Sequence, residues 1–145
     1  MAFSRSRSEL ERACEDGELI VEEGQEGRDM FVIQSGQVRI TKRVGKREIT
    51  LATLGKGDFF GEMSLLESMA RDADARAIGP TRLLVIQPGG LLMRIRRDPT
   101  FAFEMLHRLS SRLRAQNARL VEALQAAEDD ETHEVLIYSA DEDRR

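Results

Sequence analysis

A glycine, a carboxylate and an arginine lie near the middle of the chain at a spacing that suits a phosphorylated sugar. Gly61 and Glu62 precede a short run with helical character, and Arg71 follows Glu62 by nine residues. A guanidinium meets two phosphate oxygens with two N–H donors, and backbone amides at the start of a helix favour an anion. A carboxylate can accept the hydrogen bond of a sugar hydroxyl. On their own, however, Glu62 and Arg71 more readily indicate a local salt bridge that caps a turn.

The segments around these residues have the pattern of short strands separated by turns. Apolar runs broken by glycine extend over about residues 18–95 and lie at 19–21, 30–33, 38–40, 49–51 and 83–86. Several of them alternate apolar with polar residues, as half-buried strands do. Turn-forming residues separate the runs at Ser35-Gly36, Val44-Gly45-Lys46 and Gly57-Asp58. The pattern predicts a mainly β fold, namely a sandwich, a jelly roll or a barrel.

Helices are predicted on both sides of this β region. Residues 8–14 are expected to form a short helix, because apolar side chains recur there at helical spacing. A long helix is predicted over about residues 99–127, with Asp98 as its N-cap and Pro99 in its first turn. The chain has no glycine or proline between residues 101 and 127, and helix-forming residues dominate that stretch.

The long helix carries an apolar seam with alternating four- and three-residue spacing. Its members are Phe103, Leu106, Ser110, Leu113, Asn117, Leu120, Leu124 and Ala127. An asparagine within such a seam, here Asn117, can fix the register of a two-stranded coiled coil, whereas Ser110 weakens it. The seam predicts either a homodimer through residues 101–127 or a helix that packs this stripe on its own β domain.

Length and charge limit the remaining possibilities. The 145 residues suit one domain, expected over 1–127, followed by an acidic tail over 128–145. That tail carries a charge of −6 within a total of −4, so the remainder carries about +2, too little to predict a nucleic-acid-binding face. Its β-prone run at 135–138 could be an added strand, a partner-binding segment or the start of another domain.

No stretch of the sequence approaches the ~20 apolar residues of a membrane helix. The single Cys14 permits no internal disulfide, which is compatible with the cytoplasm.

Two glycine-rich segments give the chain its resemblance to a family. The first is residues 23–27 ahead of the apolar run at 30–33, and the second is residues 54–62. They resemble the first hairpin and the lead into the phosphate-binding cassette of cyclic-nucleotide-binding domains of the catabolite activator protein type. The resemblance extends over about residues 18–124. It implies an eight-stranded antiparallel β-roll (jelly-roll, cupin-like) with flanking helices and a long C-terminal helix.

The same resemblance implies a role for each residue of the cassette. Glu62 would hold the ribose 2′-hydroxyl, Arg71 would bind the cyclic phosphate, and Leu65 would pack beneath them. Backbone amides near Met63, Ser64 and Asp72 would surround the phosphate. The implied ligand-binding residues are Gly61, Glu62, Met63, Ser64, Arg71, Asp72 and Ala73, with Gln116 and Asn117 as candidates for contact with the base.

Two residues depart from the family's pattern beside the arginine. Ala70 replaces a frequent proline, and Asp72 stands where serine, threonine or alanine is common. A carboxylate repels a phosphate by about 1 kcal/mol or more at ~4 Å. If Asp72 points outward, only its N–H matters, whereas an inward Asp72 could pair with Arg71 and block the site. The missing hydroxyl favours cAMP over cGMP.

The resemblance predicts a non-enzymatic sensor in which binding of a cyclic nucleoside monophosphate is coupled to movement of the C-terminal helix. No nucleophile triad or catalytic carboxylate pair is evident, and no metal site is expected. DNA-binding relatives continue into a helix-turn-helix domain, and nothing after Leu124 has the length for one, so this chain is expected to bind neither nucleic acid nor membrane. The alternatives are a β-roll interaction or dimerisation module that has lost the nucleotide, and a module that binds another nucleotide such as a cyclic dinucleotide.

Overall fold

The computed structural model describes the backbone of residues 9–142 and the side chains of residues 10–130. Within the described residues the elements, in chain order, are β1 (Glu9–Cys14), β2 (Leu19–Val21), β3 (Met30–Val44), β4 (Arg47–Leu54), β5 (Phe59–Phe60), α1 (Glu62–Glu67), β6 (Asp74–Ile86), α2 (Pro88–Arg97) and α3 (Pro99–Glu142). The chain divides into two compact units. Met1–Phe101 contains every strand together with α1 and α2, and Ala102–Arg145 contains nearly all of α3.

The strands form one antiparallel sheet built around β3 and β6. Its order is β1-β6-β3-β4, with β2 also paired to β6 and β5 to β3. The two central strands pair from Met30↔Ile86 to Thr41↔Asp74. A core cluster of buried apolar side chains draws members from all six of these strands. This architecture confirms the predicted mainly β, antiparallel fold with flanking helices and a long C-terminal helix.

The described part of the chain has six strands rather than eight, because the two central strands remain continuous through bends. Their register shifts on either side of Ser35, which pairs with Arg82. Between that pair and Gln37↔Ile78, β3 advances by two residues and β6 by four. The predicted turn at Ser35-Gly36 is therefore absent as a break between strands, because both residues lie within the continuous strand β3 at this register shift. The other two predicted turns, at 44–46 and at 57–58, do separate strands.

The prediction of a helix over residues 8–14 is wrong, because Glu9–Cys14 forms strand β1. It pairs with β6 in an unbroken register from Glu9↔Ile86 to Cys14↔Thr81. Cys14 lies in the core, whereas Leu10 is 56% exposed, so the two do not share a buried helix face. A seven-residue helix is marginal in isolation. Backbone pairing with a central strand therefore prevails over local helical spacing.

The C-terminal half also differs from the sequence pattern at two places. The last strand ends at Ile86, and residues expected in the β-roll up to about 95 form α2 instead. The backbone of α3 continues to Glu142, so the β-prone run at 135–138 is helical and the added-strand interpretation is wrong. The predicted start at Asp98-Pro99 is confirmed, since the Asp98 carbonyl accepts a hydrogen bond from the Phe101 amide at 3.0 Å.

Most of the predicted seam on α3 consists of exposed apolar side chains. Phe103, Leu106, Leu113, Leu120 and Leu124 are 59% to 72% exposed. A single helix cannot bury such a stripe within its own unit, so the stripe needs another surface to cover it. No helix among the described residues combines the length and the apolar character needed to cross a membrane.

Candidate functional site

Gly61 joins β5 to α1 and places the start of that helix against Arg71. Its φ of +82° lies in the left-handed region. A Cβ at Gly61 would lie 2.8 Å from the Asp29 carbonyl oxygen and 2.9 Å from Arg71 Nη1. Both the backbone conformation and the close approach require glycine. The group that this glycine turn brings close in the structure is the Arg71 guanidinium, and the approach of Gly61 to a ligand stays a prediction.

Helix α1 presents its first turn at this same place. It has six residues and no side chain that caps its N-terminus. The amides of Met63 and Ser64 lie in the first turn, where an α-helix has no intrahelical acceptor for its N–H groups. Glu62 is partly buried and Met63 is exposed. Leu65 is buried, and its packing beneath the cassette stays a prediction.

The backbone of the Arg71 segment is fixed by the turn that follows β2. The Arg71 amide donates to the Gln25 carbonyl at 2.9 Å, and the Arg71 carbonyl accepts from the Gly24 amide at 2.8 Å. The first glycine-rich segment, 23–27, therefore packs against the cassette, although it lies more than forty residues earlier in the chain. The glycine-rich turn thus supports the backbone on both sides of Arg71.

The Arg71 side chain is buried, with 8% of its surface exposed. Its Nη1 donates to the Gly61 carbonyl at 3.3 Å, and its guanidinium carbon lies 5.8 Å from the centre of the Phe31 ring. Gly27 lies on another side, where an added Cβ would be 3.0 Å from Nη2 and 3.2 Å from Nε. The guanidinium is thus held by a carbonyl, a ring and two glycines.

Burial also makes Arg71 electrostatically unusual. Desolvation lowers the pKa of Arg71 from its ordinary value, and the negative charge of Asp29 opposes that shift. Arginine nevertheless remains protonated at neutral pH. In the part of the chain that the structure describes, no carboxylate lies within ion-pair distance of Arg71. A buried cation is stabilised by a partner anion, so this arrangement suits an anionic ligand.

Asp72 points away from Arg71 and pairs with a lysine that the sequence reasoning did not identify. Lys42 Nζ lies 2.9 Å from Asp72 Oδ1 and 2.9 Å from the Asp72 carbonyl oxygen. The Asp72 side chain is 56% exposed. The inward orientation in which Asp72 would pair with Arg71 is therefore not the one observed. Only the register of β3 on β6, which sets Thr41 opposite Asp74, could have revealed Lys42.

The other predicted residues lie in two different parts of the structure. Ala73 is partly buried and directly precedes β6. Gln116 and Asn117 lie on α3, within the second unit, and both are exposed. Their contact with a nucleotide base stays a prediction.

These features define a small antiparallel β-roll whose cassette offers a buried guanidinium beside a glycine turn and a short helix. Residues 11–98 match the family profile of the cyclic nucleotide-binding domain. The chain therefore belongs to the cyclic nucleotide-binding domain family, and the resemblance seen in the glycine-rich segments is confirmed.

Three relatives show which proteins of this family the chain resembles. The chain is 38% identical over 110 residues to the cyclic AMP receptor protein of Thermus thermophilus, which covers 75% of this chain and 51% of that protein. The crystal structure of the catabolite activator protein of Thermus thermophilus matches with a TM-score of 0.69 and 37% identity, over 78% of this chain and 54% of that one. The c-di-GMP-responsive global regulator CLP of Xanthomonas campestris matches with a TM-score of 0.66 and 25% identity, over 73% and 55%. The chain thus spans about half the length of these relatives.

Proposed function

We propose that this chain is a non-enzymatic regulatory module that binds a cyclic nucleoside monophosphate, with cAMP favoured over cGMP. The observation that carries the proposal is the Arg71 guanidinium, which is buried beside Gly61 and has no carboxylate at ion-pair distance among the described residues. A cyclic phosphate has one negative charge and two free oxygens, which fit a planar fork of N–H donors. A relative at 38% identity is named as a receptor for cyclic AMP, which supports this choice of ligand.

The remaining cassette residues have distinct roles in the proposed complex. Glu62 accepts the hydrogen bond of the ribose 2′-hydroxyl. The amides of Met63, Ser64 and Asp72 donate to the phosphate, and Ala73 is the last ligand-binding residue of the cassette. The side chain at Asp72 has no hydroxyl to offer to a guanine, which favours adenine as the base.

The proposed output of binding is a movement of α3. Gln116 or Asn117 contacts the base, and the exposed seam within residues 101–127 pairs with a second copy of the chain. A ligand can drive such a change only through a difference in its affinity for the two states of the helix. We further propose that the module acts in the cytoplasm, needs no metal, and contacts neither nucleic acid nor membrane through this chain.

A second candidate ligand is a cyclic dinucleotide. It is favoured by the similarity to CLP, a protein described as responsive to c-di-GMP. The other alternative, a β-roll interaction module without a nucleotide, is supported by the exposed seam of α3. The cyclic-dinucleotide alternative requires Arg71 to bind a phosphate, whereas the interaction-module alternative does not.

Calorimetric titration with cAMP, cGMP and c-di-GMP tests the proposal. We expect binding heat for cAMP with the natural chain, and loss of that heat in Arg71→Ala. Arg39→Ala is the control, because Arg39 is an exposed arginine on β3, and this variant should bind like the natural chain. Heat with c-di-GMP alone would favour the cyclic dinucleotide. No heat with any of the three at millimolar concentration would overturn nucleotide binding.

A further inference from the structure

Lys42 is the only described residue that forms an ion pair with Asp72. We propose that Lys42 is a positioning residue that holds the Asp72 carboxylate away from Arg71, and so keeps the buried guanidinium available to an anion. This role rests on the function proposed above, because it concerns the same cassette. It assigns a task to a residue outside the cassette, on a different strand.

The contacts of Lys42 fix the direction of the Asp72 side chain. One ammonium contacts both the carboxylate and the carbonyl oxygen of Asp72, each at 2.9 Å. These two contacts can coexist only when the carboxylate lies on the Lys42 side of the backbone. The hydrogen bond to Asp72 also raises the pKa of Lys42, so the lysine remains a cation.

Lys42 is itself held in place by its neighbours. Glu23 Oε1 lies 3.8 Å from Lys42 Nζ, while Glu23 Oε2 accepts the Arg43 amide at 3.2 Å. The Glu23 amide donates to Asp74 Oδ1 at 2.6 Å. The end of the cassette, the glycine-rich turn and β3 therefore meet in one polar network. This network places the Lys42 ammonium beside Asp72, near the C-terminal end of the cassette.

The consequence of losing Lys42 follows from the position of Asp72. Asp72 directly follows Arg71 in the chain, and the buried Arg71 guanidinium has no carboxylate at ion-pair distance among the described residues. Without Lys42, the carboxylate competes with a ligand phosphate for the same donors, and it also repels that phosphate. Like charges a few ångströms apart outside bulk water interact strongly enough to change an affinity about tenfold.

A double-mutant cycle separates this role from simple bracing of the loop. The natural chain, Lys42→Met, Asp72→Ala and the double variant are titrated with cAMP, and their thermal melting is measured alongside. We expect Lys42→Met to weaken binding about tenfold, and Asp72→Ala to bind somewhat more tightly. The double variant should recover most of the affinity that Lys42→Met loses. Lys46→Met removes the same charge from the turn between β3 and β4, and it should bind like the natural chain.

If Lys42 only supported the loop, the double variant would not recover affinity for cAMP, because the loop would still lack that support when Asp72 is also replaced. A double variant as weak as Lys42→Met, or a Lys42→Met with natural affinity, would overturn the proposal. If Lys42→Met does not fold, Asp72→Ala decides alone, since a tenfold loss there would show that the carboxylate assists binding. Failure of the natural chain to bind any nucleotide is a separate result, which overturns the proposed function and this role together.

Discussion

Gly27 offers a way to displace the Arg71 guanidinium without changing its charge. An alanine at this position would place a Cβ 3.0 Å from Nη2 and 3.2 Å from Nε of Arg71. Ordinary contacts are longer, so the guanidinium must move by a few tenths of an ångström. Its hydrogen bond to the Gly61 carbonyl is already 3.3 Å long, so such a shift weakens the alignment of the fork further.

The expected effect of Gly27→Ala on affinity follows from the strength of the contact. A hydrogen bond from the guanidinium to a phosphate contributes about 1.5–3 kcal/mol, and loss of half of it corresponds to about a three- to tenfold weaker Kd. Stability should change little, because the atoms that must move belong to the end of a flexible side chain. The loss of a glycine also restricts the unfolded chain, which offsets about 0.4–1 kcal/mol of any strain.

Titration with cAMP and chemical denaturation measure these two effects separately. Gly55→Ala is the matched control, because an added Cβ there meets no heavy atom within 4 Å. It should leave both affinity and stability within the range of ordinary surface changes. Natural affinity in Gly27→Ala would refute the reasoning that the guanidinium position controls binding. A fall in stability as large as the fall in binding energy would show that the alanine disturbs the fold rather than the site.

Three further outcomes are expected. Gly61→Ala should destabilise the fold by about 1–3 kcal/mol in denaturant titration, since both the backbone oxygen of Asp29 and the positive φ oppose a side chain; an unchanged midpoint would contradict this. Burial raises the pKa of the Cys14 thiol from 9.0 to about 11, so the stability that the neutral thiol contributes is complete below pH 9 and declines as pH rises toward 11. Denaturation of the natural chain and Cys14→Ala across that range should show a steeper decline with the thiol present, because the raised pKa of Lys42 contributes a decline to both chains. Leu113→Glu with Leu120→Glu should convert a dimer to a monomer in sedimentation, and a natural chain that is monomeric at every concentration would refute pairing through the seam.

The sequence could predict those parts of the fold and site that depend on local residue types. Glycine at position 61 and the strand at β4 depend on local residue types, so both could be predicted, although Ile49 and Leu51 of that strand are exposed rather than half-buried. The burial of Arg71 was not, because Gly27 and Phe31 surround it from other segments of the chain. Strand β1 was misread for the same reason, since its partner β6 lies some seventy residues later. What the sequence could not provide was the register between distant strands.

Asp72 shows most clearly how register changes an interpretation. Adjacent in sequence, Arg71 and Asp72 form an obvious candidate ion pair, and such a pair would occupy the site. In the structure the two charges face different environments: Arg71 is 8% exposed, whereas the Asp72 side chain is 56% exposed beside Lys42. An exposed ion pair is screened by water and salt, while an interaction with a buried charge is screened much less. An anion bound beside Arg71 would therefore experience Arg71 more strongly than Asp72, although the residues are neighbours and their formal charges cancel. The sign of the local field depends on burial rather than on the count of charges, and a lysine thirty residues earlier maintains the difference.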